Sequence, residues 1–295
     1  MDSQNKKKVW TVKDVLFWTS DYFTEKDIPS PHLNAELLIA HVLECSRLDL
    51  YLKYDKPLAE KNLSNIKKLI KSRAAHYPIQ YLLGSTEFYG ISFFVEEGVL
   101  IPRPETEILV DAVISYIKES SQNTLSLLDI GTGTGNIPIS ISNFFKDTEN
   151  DIQIVATDIS EKALKLAKKN IDALNIENIS LLHSNIFDKV TGTYDYIISN
   201  PPYISENEFM ELPKEIKDHE PKEALFAKED GLEFYHKILQ NAEKYLKKDG
   251  RIFFEIGAYQ KEELSNLAEQ YNYKIIDIKK DYNDFNRVLI LKNNT

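Results

Sequence analysis

The stretch "ISNPPYIS" at 198–205 breaks an apolar run with an amide, two prolines and a phenol. Proline has no N–H to give a sheet ladder, so the strand must stop at Asn200. The four residues that follow the run suit chemistry on a planar nitrogen, such as a side-chain amide or the exocyclic amine of a base. That nitrogen attacks poorly because its lone pair is delocalised. Its two N–H bonds can be held by two acceptors, the Asn200 side-chain oxygen and the Pro201 carbonyl. Pro201 and Pro202 fix that carbonyl's direction, and Tyr203 can stack on the planar group. Such placement can bring a weak nucleophile in line with a methyl group, and rigid positioning lowers a barrier by several kcal/mol. Deprotonation can follow transfer, so the chemistry asks for no metal, strong base or covalent intermediate.

A second constellation names the methyl donor. "LLDIGTGTGNIPIS" (127–140) carries Gly131, Gly133 and Gly135 with Thr132 and Thr134 between them. A dinucleotide fingerprint would read G-x-G-x-x-G, with pyrophosphate on a helix N-terminus. Here the spacing is G-x-G-x-G, and Asp129 stands just before it. A carboxylate there repels phosphate and pairs with an ammonium, which favours S-adenosylmethionine over a nicotinamide cofactor. The next strand ends in Asp158, 23 residues beyond Gly135 and placed to accept from both ribose hydroxyls. In "SNIF" (184–187), Asn185 can pair with the adenine amino group, with Ile186 and Phe187 flanking the ring.

Elements of two kinds must position these groups. Before residue 80 the apolar spacing is helical: Val12, Val15, Leu16 and Thr19; then 34–44 behind Pro31; then Leu63, Ile66, Leu69 and Ile70 within 63–76. "EFYGISFFV" reads as a hairpin about Gly90. From about 104, strands near 125–130, 152–158, 179–184, 194–200, 250–256, 273–279 and 287–292 alternate with helices at 160–174, 231–247 and from 259. That order predicts an α/β fold: a seven-stranded, mainly parallel Rossmann-like sheet with a small N-terminal helical bundle. The expected division is a helical domain at 1–76, a β-hairpin linker at 77–101 and a catalytic domain at 102–295.

The 295 residues carry a net charge of −10, which argues against broad binding to nucleic acid. Residues 1–80 hold 13 Lys and Arg against 10 Asp and Glu, so the acidity lies in the remainder. The basic run "NKKK" at 5–8 reads as a frayed, solvated end. Cys45 is the single cysteine and reads as a small buried hydrophobe in a reducing compartment. With no leader and no apolar run long enough for a membrane, a cytoplasmic monomer is expected.

Several further motifs stand in one order: "PIQYLLGSTEFYG", "VLIPRPETEILVD", "LLDIGTGTGNI", "SNPPYI", "EPKEALFAKEDGLEFY", "EIGAYQ" and "DFNRVLI". In this the chain resembles the HemK/PrmC release-factor glutamine methyltransferases over nearly its whole length, most specifically in "LIPRPETE". The resemblance implies methylation of the glutamine in the Gly-Gly-Gln loop of bacterial peptide chain release factors, with the helical domain docking that substrate. It implies that Gly131, Gly133, Gly135, Asp158 and Asn200 touch the cofactor, and that Asn200, Pro201, Pro202 and Tyr203 hold the glutamine. Arg103 and Glu105, with Phe88 nearby, would shape the mouth of the site. The family has an acid where Asn185 stands, so adenosine is expected to be held more weakly here. Methyl transfer to exocyclic amines of DNA bases shares Asn-Pro-Pro-Tyr and is the alternative, although no target-recognition domain or basic surface is evident. A non-catalytic adaptor is a third reading, which the intact motif disfavours.

Overall fold

A capping box opens the first helix. The Thr11 hydroxyl accepts from the Asp14 N–H while the Asp14 carboxylate takes the Thr11 N–H, so two orphan donors are satisfied together. The computed structural model describes residues 9–294, so "NKKK" lies outside the described residues. Helix α1 (Val12–Glu25) buries Val12, Val15, Leu16 and Thr19, the stripe their spacing calls for. Helix α2 (Pro31–Val42) begins with proline in its first turn, where a missing N–H costs nothing. Helices α3 (Arg47–Leu52), α4 (Glu60–Ala74) and α5 (Ile79–Leu83) complete the unit. Its core gathers Leu16, Phe23, Leu38, Ile39 and Ile66, with Cys45 half-buried against them. A polar tie fixes α4 to α2: buried Arg73 donates through Nε to Asn34 Oδ1 at 2.7 Å.

The chain divides into two compact units after Gly84. The expected 77–101 linker is therefore split rather than free-standing. Its front part, α5, packs with α2 and α4. Its hairpin, β1 (Ser85–Phe88) and β2 (Ile91–Phe94), belongs to the second unit, because Phe88 and Phe93 are buried in that unit's core. The Phe94 backbone is also bonded in both directions by the Asn170 side chain, at 2.8 and 3.2 Å.

The second unit continues with α6 (Thr106–Glu119), β3 (Thr124–Ile130), α7 (Asn136–Phe145), β4 (Asp151–Asp158), α8 (Glu161–Ala173), β5 (Ile179–His183) and β6 (Tyr194–Ser199). After β6 a loop region carries the short helices α9 (Glu206–Glu211) and α10 (Lys214–Lys217). Then come α11 (Glu233–Ala242), β7 (Leu246–Glu255), α12 (Lys261–Gln270), β8 (Tyr273–Lys280) and β9 (Asn286–Asn293). Seven strands form one sheet in the order β5-β4-β3-β6-β7-β9-β8. It is parallel except where β9 runs against β7 and β8. All of β6 is buried, as a strand covered on both faces must be. Ser160 caps α8 as expected, accepting from the Ala163 N–H at 3.2 Å.

One boundary differs from the sequence expectation. The helix anticipated over 231–247 ends at Ala242, and β7 starts at Leu246 rather than at 250. The Tyr245 carbonyl is claimed by the Tyr194 N–H at 2.7 Å, and its ring stacks on Phe187 at 4.5 Å. Leu246 is thereby drawn into register with Tyr194 and buried, where a further helical turn could not place it.

Candidate active site

β3 and β6 are neighbours in the sheet although β4 and β5 separate them in sequence. The connections therefore leave this point in opposite directions, and a crevice opens beyond the strands' carboxyl ends. A cavity of about 450 Å³ lies there, and the segments that follow β3, β4, β5 and β6 all reach its wall.

The glycine loop follows β3. Gly131 and Gly133 both take left-handed backbone, φ +80° and +55°, and a Cβ at either would meet no heavy atom within 4 Å. Both line the cavity, so the space a side chain would fill is left to whatever the cavity holds. The loop is fixed from outside: the N–H groups of Gly131 and Thr132 both donate to the Thr157 carbonyl at 2.9 Å. Asp158, at the end of β4, takes the Gly133 N–H at 2.9 Å on one oxygen and the Ser160 N–H at 2.8 Å on the other. Each oxygen keeps a lone pair for a ligand. Burial raises the Asp158 carboxyl above its ordinary range, against these backbone donors that lower it.

Asp129 sits one residue behind the wall. It is fully buried, and neither oxygen closes a well-formed hydrogen bond. Burial drives its pKa up to about 7, with the neighbouring Thr132 hydroxyl opposing and Asp158 adding to the rise. Beyond β5, Asn185 and Ile186 reach the cavity. Ile186 holds φ +51°, a conformation that a β-branched residue rarely adopts. Ser184 steadies that turn by donating to the Ile186 carbonyl at 3.2 Å and accepting from the Lys189 N–H at 3.1 Å.

Asn200 emerges from β6 where this cavity meets a smaller one of about 90 Å³. Its Nδ2 donates to the Thr106 hydroxyl at 3.1 Å, which leaves Oδ1 as a free acceptor. Pro201, Pro202 and Tyr203 line the smaller space, Arg103 lines both, and Glu255 from the end of β7 completes the wall. The Tyr203 phenol lies 3.4 Å from Glu255 Oε1, and burial pushes its pKa well up. The Tyr203 carbonyl accepts from Gln260 Nε2 at 3.0 Å. Gly231 crosses behind it at φ +88°, where a Cβ would come within 2.2 Å of that carbonyl oxygen. Arg103 is closed onto Glu220 at 2.5 Å, and the other Glu220 oxygen takes the Ile101 N–H at 3.2 Å. That pair ties the 101–103 segment to the segment after α10.

Four sequence-expected residues stand elsewhere. Gly135 does not line the cavity: its Cβ would press on Ile139 Cδ1 at 3.1 Å and Ala167 Cβ at 3.3 Å, so it lets α7 approach α8. Phe88 is a core aromatic, edge-on to Phe93 at 6.0 Å. Phe187 packs on Tyr245 and takes no part in the wall. Glu105 is exposed in the turn before α6 and lines neither space, while Arg103 pairs with Glu220 instead. Conversely, Thr106, Glu220, Gly231 and Glu255 had no expected role. All four sit in the motif blocks of the sequence, but nothing local marks which side chain turns inward.

The family described as the PrmC N-terminal domain matches residues 14–84, and the methyltransferase small domain matches 106–217. A release factor glutamine methyltransferase of Rhodopirellula baltica is 39% identical over 289 residues, covering 96% of each chain. The chain belongs to the release factor glutamine methyltransferase family. A second member, from Fusobacterium nucleatum, is 38% identical over 95% of this chain and 78% of its own. Among solved structures, a methyltransferase of Pyrococcus furiosus superposes with a TM-score of 0.50 at 21% identity, over 77% of this chain and 98% of that one, which bears on the fold alone. Family membership makes this chain a methyltransferase. The glycine loop, Asp158 and Asn-Pro-Pro-Tyr all fall inside the matched small domain. Among the described residues no helix is long and apolar enough to cross a membrane, and no group of three or more His, Cys, Asp or Glu could hold a metal ion.

Proposed function

We propose that the chain transfers a methyl group from S-adenosylmethionine to the side-chain amide nitrogen of the glutamine in the Gly-Gly-Gln loop of bacterial peptide chain release factors. The observation that carries this reading is Asn200, held by Thr106 with its oxygen free at the junction of a large and a small cavity. The residues present fit the donor. Gly131 and Gly133 leave an open cradle, and the Asp158 oxygens retain lone pairs for ribose hydroxyls. Beneath the loop, the unpartnered Asp129 carboxyl supplies negative potential toward an ammonium group. When bound, S-adenosylmethionine supplies a methyl on a positively charged sulfur that leaves as a neutral thioether.

The chain's own residues do the rest by placement. Asn200 Oδ1 and the Pro201 carbonyl accept the two N–H bonds of the glutamine amide, and the proline pair keeps that carbonyl from swinging away. The Tyr203 ring forms a wall on which the amide plane can lie. Nitrogen gains the methyl and then gives up one proton, so the product is a neutral N-methyl amide. Asn185 is an amide at the adenine side of the cavity and offers one neutral acceptor oxygen there, where an acid would offer two charged ones.

The helical unit is assigned to docking of the release factor, since every cavity-lining residue lies at Gly98 or beyond. A chain beginning at Ser85 should bind S-adenosylmethionine and methylate a short Gly-Gly-Gln peptide, yet methylate the intact factor poorly. Equal rates on the intact factor with and without residues 1–84 would remove that assignment. The activity itself is tested by offering intact release factor and duplex DNA in parallel with labelled donor. Label on the glutamine supports the reading, and label on DNA amines alone would replace it.

A further inference from the structure

Glu255 is the one acidic side chain on the wall of the smaller cavity that the placement described above leaves without a task. It is 1% exposed, its Oε2 closes no well-formed hydrogen bond, and Oε1 has the Tyr203 phenol at 3.4 Å, with the Thr106 hydroxyl close by. Neither cation near it is paired with the carboxyl, although the buried Arg287 Nε also lacks a partner. Arg103 is closed onto Glu220 at 2.5 Å. Arg287 donates to Asp281 Oδ2 at 2.9 Å and to the Ile256 carbonyl at 3.3 Å. Tyr235 spends its hydroxyl on the Glu255 backbone carbonyl at 2.8 Å and not on the carboxyl. A buried carboxyl with an open oxygen is costly, and here that oxygen belongs to a residue that lines the space beside Asn200 and Tyr203.

We propose that Glu255 is a specificity-determining residue of the substrate pocket, selecting a neutral side-chain amide and rejecting a carboxylate of the same shape. This rests on the methyl-transfer reading above and deepens it. Glutamine and glutamate fill the same volume, so packing cannot separate them. Asn200 can separate them only in part, because an amide that turns over presents a donor in place of its acceptor. An ionised Glu255 has no donor in any orientation. A neutral amide, whose two N–H bonds go to Asn200 and Pro201, meets no like charge there, whereas to a glutamate the carboxylate offers one in a space screened from water.

The charge state is set by groups from each neighbouring element. Burial raises the Glu255 pKa to about 7 and Glu105 at the start of α6 adds to that, while the Thr106 and Tyr203 hydroxyls and Arg287 on β9 lower it. Rejection of a carboxylate therefore strengthens as pH rises through that value. A free glutamate is ionised throughout this range, since its pKa lies near 4.3, so entering beside an ionised Glu255 costs it either a like-charge contact or the uptake of a proton.

The test compares two intact release factors that differ only in glutamine or glutamate at the Gly-Gly-Gln position, each titrated against the full-length chain saturated with S-adenosylhomocysteine. At pH 8 the wild type should favour the glutamine form by on the order of ten- to a hundredfold. In Glu255→Gln the ratio should shrink by on the order of tenfold, mainly because the glutamate form binds more tightly. A second measurement needs no variant: the wild-type ratio should fall between pH 8 and pH 6. A ratio that is the same in Glu255→Gln and insensitive to pH, with the glutamine form still methylated by the wild type, overturns the role of Glu255 and leaves the activity standing. A wild type that methylates neither form, though it binds S-adenosylmethionine, overturns the activity and this role with it.

Discussion

Replacing Gly133 by alanine should leave the protein folded and spoil its cofactor site, while the same change at Gly135 should cost stability and spare the site. Both positions hold left-handed backbone, φ +55° and +79°, so either alanine carries a conformational penalty of roughly 1–2 kcal/mol. Their surroundings separate them. A methyl at Gly133 meets no protein atom within 4 Å and stands in the large cavity. A methyl at Gly135 meets Ile139 Cδ1 at 3.1 Å, Ala167 Cβ at 3.3 Å and Ala167 Cα at 3.5 Å. Overpacking of that kind costs about 1–3 kcal/mol more. Gly135→Ala should then lose about 2–5 kcal/mol of folding stability, against about 1–2 kcal/mol for Gly133→Ala. For affinity the order inverts: a methyl forced against a bound ligand costs a similar 1–3 kcal/mol, or roughly 5- to 140-fold. Calorimetric titration with S-adenosylmethionine and urea unfolding of both variants read the two quantities separately. If Gly135→Ala loses more affinity than Gly133→Ala while both remain folded, the division of the loop into cradle and packing glycines is refuted.

Asp158→Ala should weaken S-adenosylmethionine binding about ten- to a hundredfold, since bonds to a charged group are worth roughly 1.5–3 kcal/mol and the Gly133 N–H also loses its acceptor; unchanged affinity by calorimetry would remove Asp158 from the site. Gly231→Ala sets a Cβ 2.2 Å from the Tyr203 carbonyl oxygen, so turnover should fall more than cofactor affinity does, and the reverse order in paired kinetics and titration would count against it. The Glu255 carboxyl is raised from 4.5 to about 7, so the folded state keeps its proton where the unfolded chain has lost it. Stability should therefore fall as pH rises between those values and level off above them. Glu255→Gln removes that fall, so its stability relative to wild type should improve by roughly 2–3 kcal/mol between pH 5 and pH 8 in urea unfolding. A constant difference would show that the carboxyl is not held up by burial.

The parts of the fold legible in the sequence were those with strong periodicity. The α1 stripe, the all-buried β6 and the capped α8 each announce themselves over six or more residues. The short α3 and α5 do not, because six and five residues span too few turns for a stripe to show. The β7 start was misplaced for a different reason. "EKYLK" reads well as helix, and only the Tyr194 N–H and the Phe187 ring, both distant in sequence, draw Tyr245 and Leu246 into the sheet. The site divides the same way. That Gly131, Gly133, Asp158 and Asn200 reach the cavity wall is legible because each stands where a strand ends in a loop, and that geometry is local. Thr106 and Glu255 were not, since their value depends on α6 and β7 converging on Asn200 and Tyr203. Gly135 and Phe88 show the opposite case, motif residues that pack in the structure and stand off the cavity wall.

The central claim is that Asn200 holds the nucleophile, and single-turnover methylation of an intact release factor measures this most directly. Asn200 stands half-buried at a strand end, and the glycine loop and Asp158 are untouched by its loss. Asn200→Ala, saturated with S-adenosylmethionine, should therefore fold, bind donor and transfer the methyl on the order of 10²–10³ more slowly than wild type. A factor with glutamine replaced by alanine in Gly-Gly-Gln serves as the blank, and mass spectrometry locates the methyl. Loss of rate with the methyl confined to that glutamine is the predicted result; equal rates for wild type and Asn200→Ala would mean that Asn-Pro-Pro-Tyr is only a turn.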